Sequence, residues 1–279
     1  MTTAAIVVGI DGSDSARHAV VWAAREAARR KIRLVIAHVA PDLPAVVAQA
    51  RAWLDDAGAA AGHAAPTVTT SAELLCGPVV ETLAAVSTWA DTLVLGTRGL
   101  GGFAGLLVGS TAIGVTTRAS CPVVVVRTPG PRAPLPTSGP IVVGVDGGTA
   151  EEAIEWAFTE AALHDTLLIA VHTWTEGRFG HGWDAVPYAV DFQALDDSMR
   201  VMLSDRMAHW REKFPGVPLE LVTALDSPAH ALVEQSKQAR LVVVGTRGHG
   251  PFAGALLGST SHALLHHSAC PVAVVRTTS

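Results

Sequence analysis

The chain has 279 residues, 49% of them hydrophobic and 16% charged, with a mean hydropathy of +0.35. That length allows about two domains of ordinary size, and the composition is too apolar and too sparsely charged for a disordered chain or a coiled coil. Lys+Arg 20 against Asp+Glu 25 leaves a net charge of −5, which removes the basic footprint of a non-specific nucleic-acid or acidic-membrane binder.

Short β-branched runs at 6–10, 34–39, 68–74, 93–95 and 123–126 read as strands, with helical patterns at 15–30, 44–61, 79–88 and 110–118 between them. Strands that are apolar throughout belong to a parallel sheet covered on both faces, and their alternation with helices implies right-handed crossovers. The uncharged stretch 99–117 approaches membrane-spanning length, but six glycines, at 99, 101, 102, 105, 109 and 114, make it a poor helix. No membrane partner is expected. The first residues have no basic segment and reach Asp11 too early for a signal peptide. Three cysteines, Cys76, Cys121 and Cys270, are an odd number in a chain long enough to fold without disulfides, which fits a reducing cytoplasm.

After 128 come five prolines, at 129, 131, 134, 136 and 140, which prevent helix and ladder pairing and mark a linker over 129–140. The pattern then starts again. Ile6-Val7-Val8-Gly9-Ile10-Asp11-Gly12 recurs as Ile141-Val142-Val143-Gly144-Val145-Asp146-Gly147, an offset of 135. Trp22 recurs as Trp156 and His38 as His172 at an offset of 134; Gly96-Thr97-Arg98-Gly99 recurs as Gly245-Thr246-Arg247-Gly248, and Cys121-Pro122 as Cys270-Pro271, at 149. Two whole domains, 1–128 and 141–279, are therefore duplicated, with an insert over 176–192 in the second. Each half is expected to be an open five-stranded parallel sheet with helices on both faces. Such sheets bind ligands beyond the carboxyl ends of their strands, where strand order reverses.

The loop after the fourth strand carries the chemistry. Gly96-x-x-Gly99 is followed nine residues on by Gly109-Ser110-Thr111, and Gly245-x-x-Gly248 by Gly258-Ser259-Thr260 at the same spacing. Glycines let backbone N–H groups approach an anion, and Gly-Ser at a helix start offers donors where the helix dipole is positive. No Asp or Glu occurs between Asp91 and Asp146 or after Glu234. Arg98, Arg118 and Arg127 in the first segment, and Lys237, Arg240, Arg247 and Arg276 in the second, favour an anionic ligand. Arg98 and Arg247 either reach phosphate or lie solvated at the loop tip. A Walker A loop is excluded, because Lys31, Lys213 and Lys237 lie outside both loops. The Gly-x-Gly-x-x-Ala matches at 99–104 and 248–253 follow the fourth strand and lack the acidic residue of a dinucleotide fold.

These motifs resemble the universal stress proteins in their tandem form, over nearly all of both halves. The resemblance to the ATP-binding branch implies flavodoxin-like, adenine-nucleotide α-hydrolase-like domains, each holding one ATP, with magnesium left open. It implies that Asp11 and Val39 meet adenine and ribose, that Gly96, Gly99 and Gly109 admit the phosphates, and that Ser110 and Thr111 bind their oxygens. The matching residues in the second half are Asp146, Thr173, Gly245, Gly248, Gly258, Ser259 and Thr260. Thr173 replaces the apolar Val39, so weaker binding is expected there. Phosphoryl transfer needs metal coordination and a residue to position the nucleophile, and only Asp11 and Asp146 are candidates. The expected role is a nucleotide-dependent stress-response module rather than an enzyme; a slow ATPase or an unoccupied structural module are the alternatives.

Elsewhere, Cys121 and Cys270 read as core thiols, Trp22 and Trp156 as core anchors, and His262 with His266 as a solvated helix face. The apolar strands 123–126 and 272–275 are unpaired edges that either join the two domains or pair two chains as a homodimer.

Overall fold

A computed structural model describes residues 4–41, 43–97, 108–127, 134–146, 151–174, 192–246 and 257–276. The first domain runs β1 (Ala5–Ile10), α1 (Asp14–Arg30), β2 (Arg33–Val39), α2 (Pro44–Ala64), β3 (Thr70–Leu75), α3 (Val79–Val86), β4 (Thr92–Gly96), α4 (Ser110–Arg118) and β5 (Val123–Val126). The second repeats the plan as β6 (Ile141–Gly144), α5 (Glu151–Leu163), β7 (Leu168–Trp174), α6 (Phe192–Lys213), β8 (Leu219–Leu225), α7 (Pro228–Ser236), β9 (Leu241–Gly245), α8 (Ser259–His267) and β10 (Val272–Val275). Among the described residues no helix is long and apolar enough to cross a membrane.

All ten strands form one sheet in the order β3-β2-β1-β4-β5-β10-β9-β6-β7-β8. Within each half the pairing is parallel, and the halves meet where β5 and β10 run antiparallel. The apolar edges thus close on each other within one chain. Each half has the order 3-2-1-4-5, which corrects the expected flavodoxin-like order of 2-1-3-4-5 while leaving the doubly wound class intact. The reason lies in the crossovers. The chain steps outward twice in one direction, so right-handed connections put α1 and α2 on one face. It then returns past β1, and α3 and α4 fall on the other face.

Two cores follow from this arrangement. One packs Val20, Ala23 and Leu54 of α1 and α2 with Ile154, Phe158 and Met207 of α5 and α6. The other packs Leu83, Val115, Leu232 and Leu264 of α3, α4, α7 and α8 against the opposite face. Alternate strand residues point to alternate faces, so β1 sends Ile6 and Val8 into the first core and Ala5 and Val7 into the second. Burial pushes the Cys121 and Cys270 thiols up to about 12, as fits core packing rather than redox chemistry. The linker runs between the domains: Leu135, Pro136 and Thr137 border α1 and the end of α2 as well as Arg240, and Gly139 and Pro140 bond to Thr166 and Arg240 of the second domain. There Gly139, at φ +108, brings its peptide within reach of Gln238, and the Pro140 carbonyl accepts from the Arg240 amide.

Because α1 and α5 share a face, they also share a charged contact. Arg30 donates to the fully buried Glu160 and, at 3.2 Å, to Asp91, while His164 Nε2 lies 3.0 Å from Glu26 Oε2. Burial pushes the Glu160 carboxyl up to about 7 against the opposing pull of the Arg30 guanidinium.

Candidate functional site

The crevice of each half opens where strand order reverses, between β1 and β4 and between β6 and β9. At the first, β1 ends at Ile10 and the chain turns through Asp11 and Gly12 into α1. Asp11 Oδ1 accepts from the Ser13 amide at 3.1 Å and from its hydroxyl at 2.6 Å. Ser13, as N-cap, accepts in turn from the Ala16 amide at 3.2 Å. The carboxylate expected to meet the nucleotide base is thus turned toward the start of α1.

His38 at the end of β2 donates through Nδ1 to the Ile10 carbonyl at 2.7 Å, and His172 does the same to Val145 at 2.8 Å. Both histidines are buried. The bond ties the end of the first strand to the second strand in each half.

Gly96 brings β4 against the start of α1. A Cβ there would lie 2.5 Å from Ser15 Oγ, 2.7 Å from the Ser15 carbonyl carbon and 2.8 Å from the Ala16 amide nitrogen. Beyond it Thr97 shares a 3.2 Å hydroxyl contact with Ser15. The glycine-rich loop is closed at its base, where the Gly109 amide donates to the Thr97 carbonyl at 2.7 Å; in the second half Gly258 donates to Thr246 at 2.9 Å. The helices that follow begin at Ser110 and Ser259, and their N-caps Gly109 and Gly258 supply no side-chain hydrogen bond. Among the described residues no N-cap side chain engages the first-turn amides of α4 and α8, which suits them to an anionic partner. Ser110 and Ser259 are exposed, and Thr111 and Thr260 half-buried. Gly245 is buried at the end of β9, where its carbonyl accepts from Ser261 Oγ at 2.8 Å. Arg98, Gly99, Arg247 and Gly248 lie outside the described residues, as does most of the insert.

Val39 is buried at the end of β2, whereas Thr173 at the corresponding end of β7 is only half-buried. The greater asymmetry is one that sequence reading missed. Gly12 has φ +83, and a Cβ on it would come within 2.4 Å of the Trp53 ring, which also stands edge-on to His38 at 5.3 Å. An indole from α2 thus closes over the first loop of domain one. In domain two that loop is met by a charge: Arg206 of α6 donates to the Asp146 carbonyl at 3.0 Å and to Glu151 at 2.9 Å, and Trp210 Nε1 donates to Glu151 at 2.9 Å. The repeat offset could have flagged the difference, since 149 residues separate Ala57 from Arg206 and Ala61 from Trp210.

Five of the seven cations expected to favour an anionic ligand have other work. Arg127 reaches the Leu265 carbonyl across the domain seam at 3.4 Å, and Arg276 reaches the carbonyls of Arg118 at 3.4 Å and Ala119 at 2.9 Å. Arg118 itself folds back on Gly114, and Lys237 pairs with Glu234. Arg240 faces Glu26 and Glu160. The chain leaves each helix toward the seam, so residues that follow the glycine loop in sequence turn away from it in space.

Fold and site together describe a duplicated doubly wound α/β protein with a glycine-capped helix at each reversal of strand order. The chain belongs to the universal stress protein family, whose model matches residues 3–127 and again residues 138–276. Two universal stress proteins of Mycobacterium tuberculosis are each 36% identical to it, over 290 and 292 residues, with 97% of this chain and 96% of each relative covered. The crystal structure of a universal stress protein from Archaeoglobus fulgidus superposes with a TM-score of 0.68 at 18% identity, covering 99% of both chains, and so shares the fold.

Proposed function

We propose that each half binds one ATP at its strand-order reversal and that the protein acts as a nucleotide-dependent module of the stress response. The observation that carries this reading is the pair of helices α4 and α8. Each starts at an exposed serine behind a glycine that caps nothing, and each is anchored by the same amide-to-threonine hydrogen bond. Uncapped first-turn amides at the positive end of a helix are suited to phosphate oxygens. A binding rather than a catalytic role is supported by Asp11, whose carboxylate is engaged by Ser13 and so is poorly placed to act as a base.

The test is to purify the chain without added nucleotide, quantify adenine nucleotide released on denaturation, and titrate the emptied protein with ATP by calorimetry. Ser110→Asp and Ser259→Asp place a negative charge at the two helix starts, where it stabilises the helix and repels phosphate. Two ATP per chain are expected, one in either single variant and none in the double variant, with thermal stability kept. Failure of the unaltered protein to bind ATP, or full binding by the folded double variant, would overturn the reading. Release of ADP after loading with ATP would make it an enzyme instead.

A further inference from the structure

The Glu26, Arg30, Glu160 and His164 cluster lies away from both crevices, at the edge of the sheet where the strands begin; its Arg30 bonds Asp91, just before β4. At the repeat offset of 134, Glu26 corresponds to Glu160 and Arg30 to His164. Each half thus offers a carboxylate and, four residues on, a nitrogen-bearing side chain, and each carboxylate is met by that of the other domain: Glu160 by Arg30 and Glu26 by His164.

A second arginine at 164 would complete a closed quartet, with two guanidinium forks covering two carboxylates. The imidazole covers less. Its Nε2 lies 3.0 Å from Glu26 Oε2 and 3.7 Å from Glu160 Oε2, and the latter oxygen, fully buried, has no hydrogen-bond partner among the described residues. Glu26, Glu160 and His164 each offer one ligand atom, and the three atoms lie within 4.8 Å of one another. A tetrahedral ion holding N and O ligands at roughly 2.0–2.2 Å separates them by about 3.4 Å, close to the spacings present.

We propose that Glu26, Glu160 and His164 form a zinc-class divalent cation site that joins the two domains. The ligand set, one imidazole and two carboxylates, suits a borderline cation of this kind. Arg30 holds the other oxygen of Glu160 and so fixes the orientation of that ligand. Glu26 also lines a cavity of about 410 Å³ between α1, the end of α2 and the linker at Leu135–Thr137, whose wall includes Arg25, Arg29 and Arg240. Water from that cavity would supply the fourth ligand.

The experiment uses the full chain, stripped with chelator and free of nucleotide, and measures zinc bound per chain by elemental analysis together with the shift in Tm on adding zinc. The unaltered protein is expected to bind one zinc and to melt at higher temperature. His164→Arg, which copies the other half and restores a full ion pair, should stay folded and lose zinc affinity at least tenfold. His262→Ala with His266→Ala removes the imidazole pair on α8, on the opposite face of the sheet, and should leave uptake unchanged. Absence of zinc uptake by the unaltered protein, undiminished uptake by His164→Arg, or loss of uptake in the α8 variant would each overturn the proposal. A Tm that responds to pH but not to zinc would show that the cluster holds only protons, and would overturn it too.

Discussion

Val124 of β5 lies directly opposite Ala273 of β10, and 149 residues separate them, the same offset that relates the two repeats. Each is paired with its own duplicate. A local two-fold axis therefore passes between them, perpendicular to the sheet, and the remaining pairs are reciprocal: Val125 with Val272 and Val123 with Val274. The antiparallel seam follows from that symmetry. It also explains why α1 meets α5 on one face while Arg127 and Arg276 reach across the other end of the seam.

Val124 is fully buried at that axis, in contact with both domains' cores. Val124→Asp would place a carboxylate there with no cation to pair it, a change expected to cost about 3 kcal/mol or more. Urea denaturation followed by circular dichroism should show the midpoint fall for the whole chain in one transition. A loss confined to domain one, seen as a separate early transition, would mean that the domains fold independently of the seam.

Gly96→Ala tests the packing that builds the first crevice. The added methyl meets Ser15 Oγ and, just as closely, backbone atoms of Ser15 and Ala16 that cannot turn aside as a hydroxyl can, so α1 must move away from β4. Overpacking of this kind costs typically 1–3 kcal/mol, and the displaced α1 start would carry Asp11 with it. Thermal unfolding should fall measurably, and domain-one nucleotide binding should weaken at least tenfold. Gly58→Ala, in open space on α2, is the control and should be neutral or slightly stabilising.

Much of this was legible in the sequence because duplication printed it twice. The valine-rich strands were readable to within a residue or two, since β-branched runs bounded by Gly, Asp or Pro have few other places to go. Strand order was not, because it depends on the side to which the second crossover turns, and no residue of the loop before β3 states it. Arg127 and Arg276 looked like ligand cations because they follow the glycine loops in sequence, but their side chains end on the last helix of the opposite domain. Trp53 and Arg206 were hidden for a related reason. Trp53 meets Gly12 from 41 residues away and Arg206 meets Asp146 from 60, on first-strand loops that only the folded sheet brings beneath them.

The two proposed nucleotide sites should differ. Val39 offers a buried apolar wall at the end of β2, whereas Thr173 at the matching place in the second half is half-buried and carries a hydroxyl. Exchanging that hydroxyl for a methyl in Thr173→Val adds apolar contact worth about 1 kcal/mol, roughly a fivefold change in affinity. The measurement is a nucleotide titration in the Ser110→Asp background, so that only the second site is read. Tightening of that order would place the base of the ligand against β7; no change would place it elsewhere.

Asp226 and His230 provide a pH-dependent contact of known sign. They flank the start of α7, with His230 Nδ1 2.6 Å from Asp226 Oδ2 and Ser227 as N-cap between them. The hydrogen bond and charge of Asp226 raise the His230 pKa above 6.5, and the same bond lowers that of Asp226 below 3.8. A raised base stabilises the fold fully below 6.5 and loses that contribution as pH rises through its folded value. A lowered acid stabilises it above 3.8 and loses that contribution as pH falls through its folded value. The pair is therefore complete only between these limits. Because both groups are exposed, the effect is small and screened by salt. In an NMR titration, the His230 ring should show a midpoint above 6.5 that falls in Asp226→Asn and at high salt. A midpoint unmoved by that substitution would mean that the contact is not held in solution.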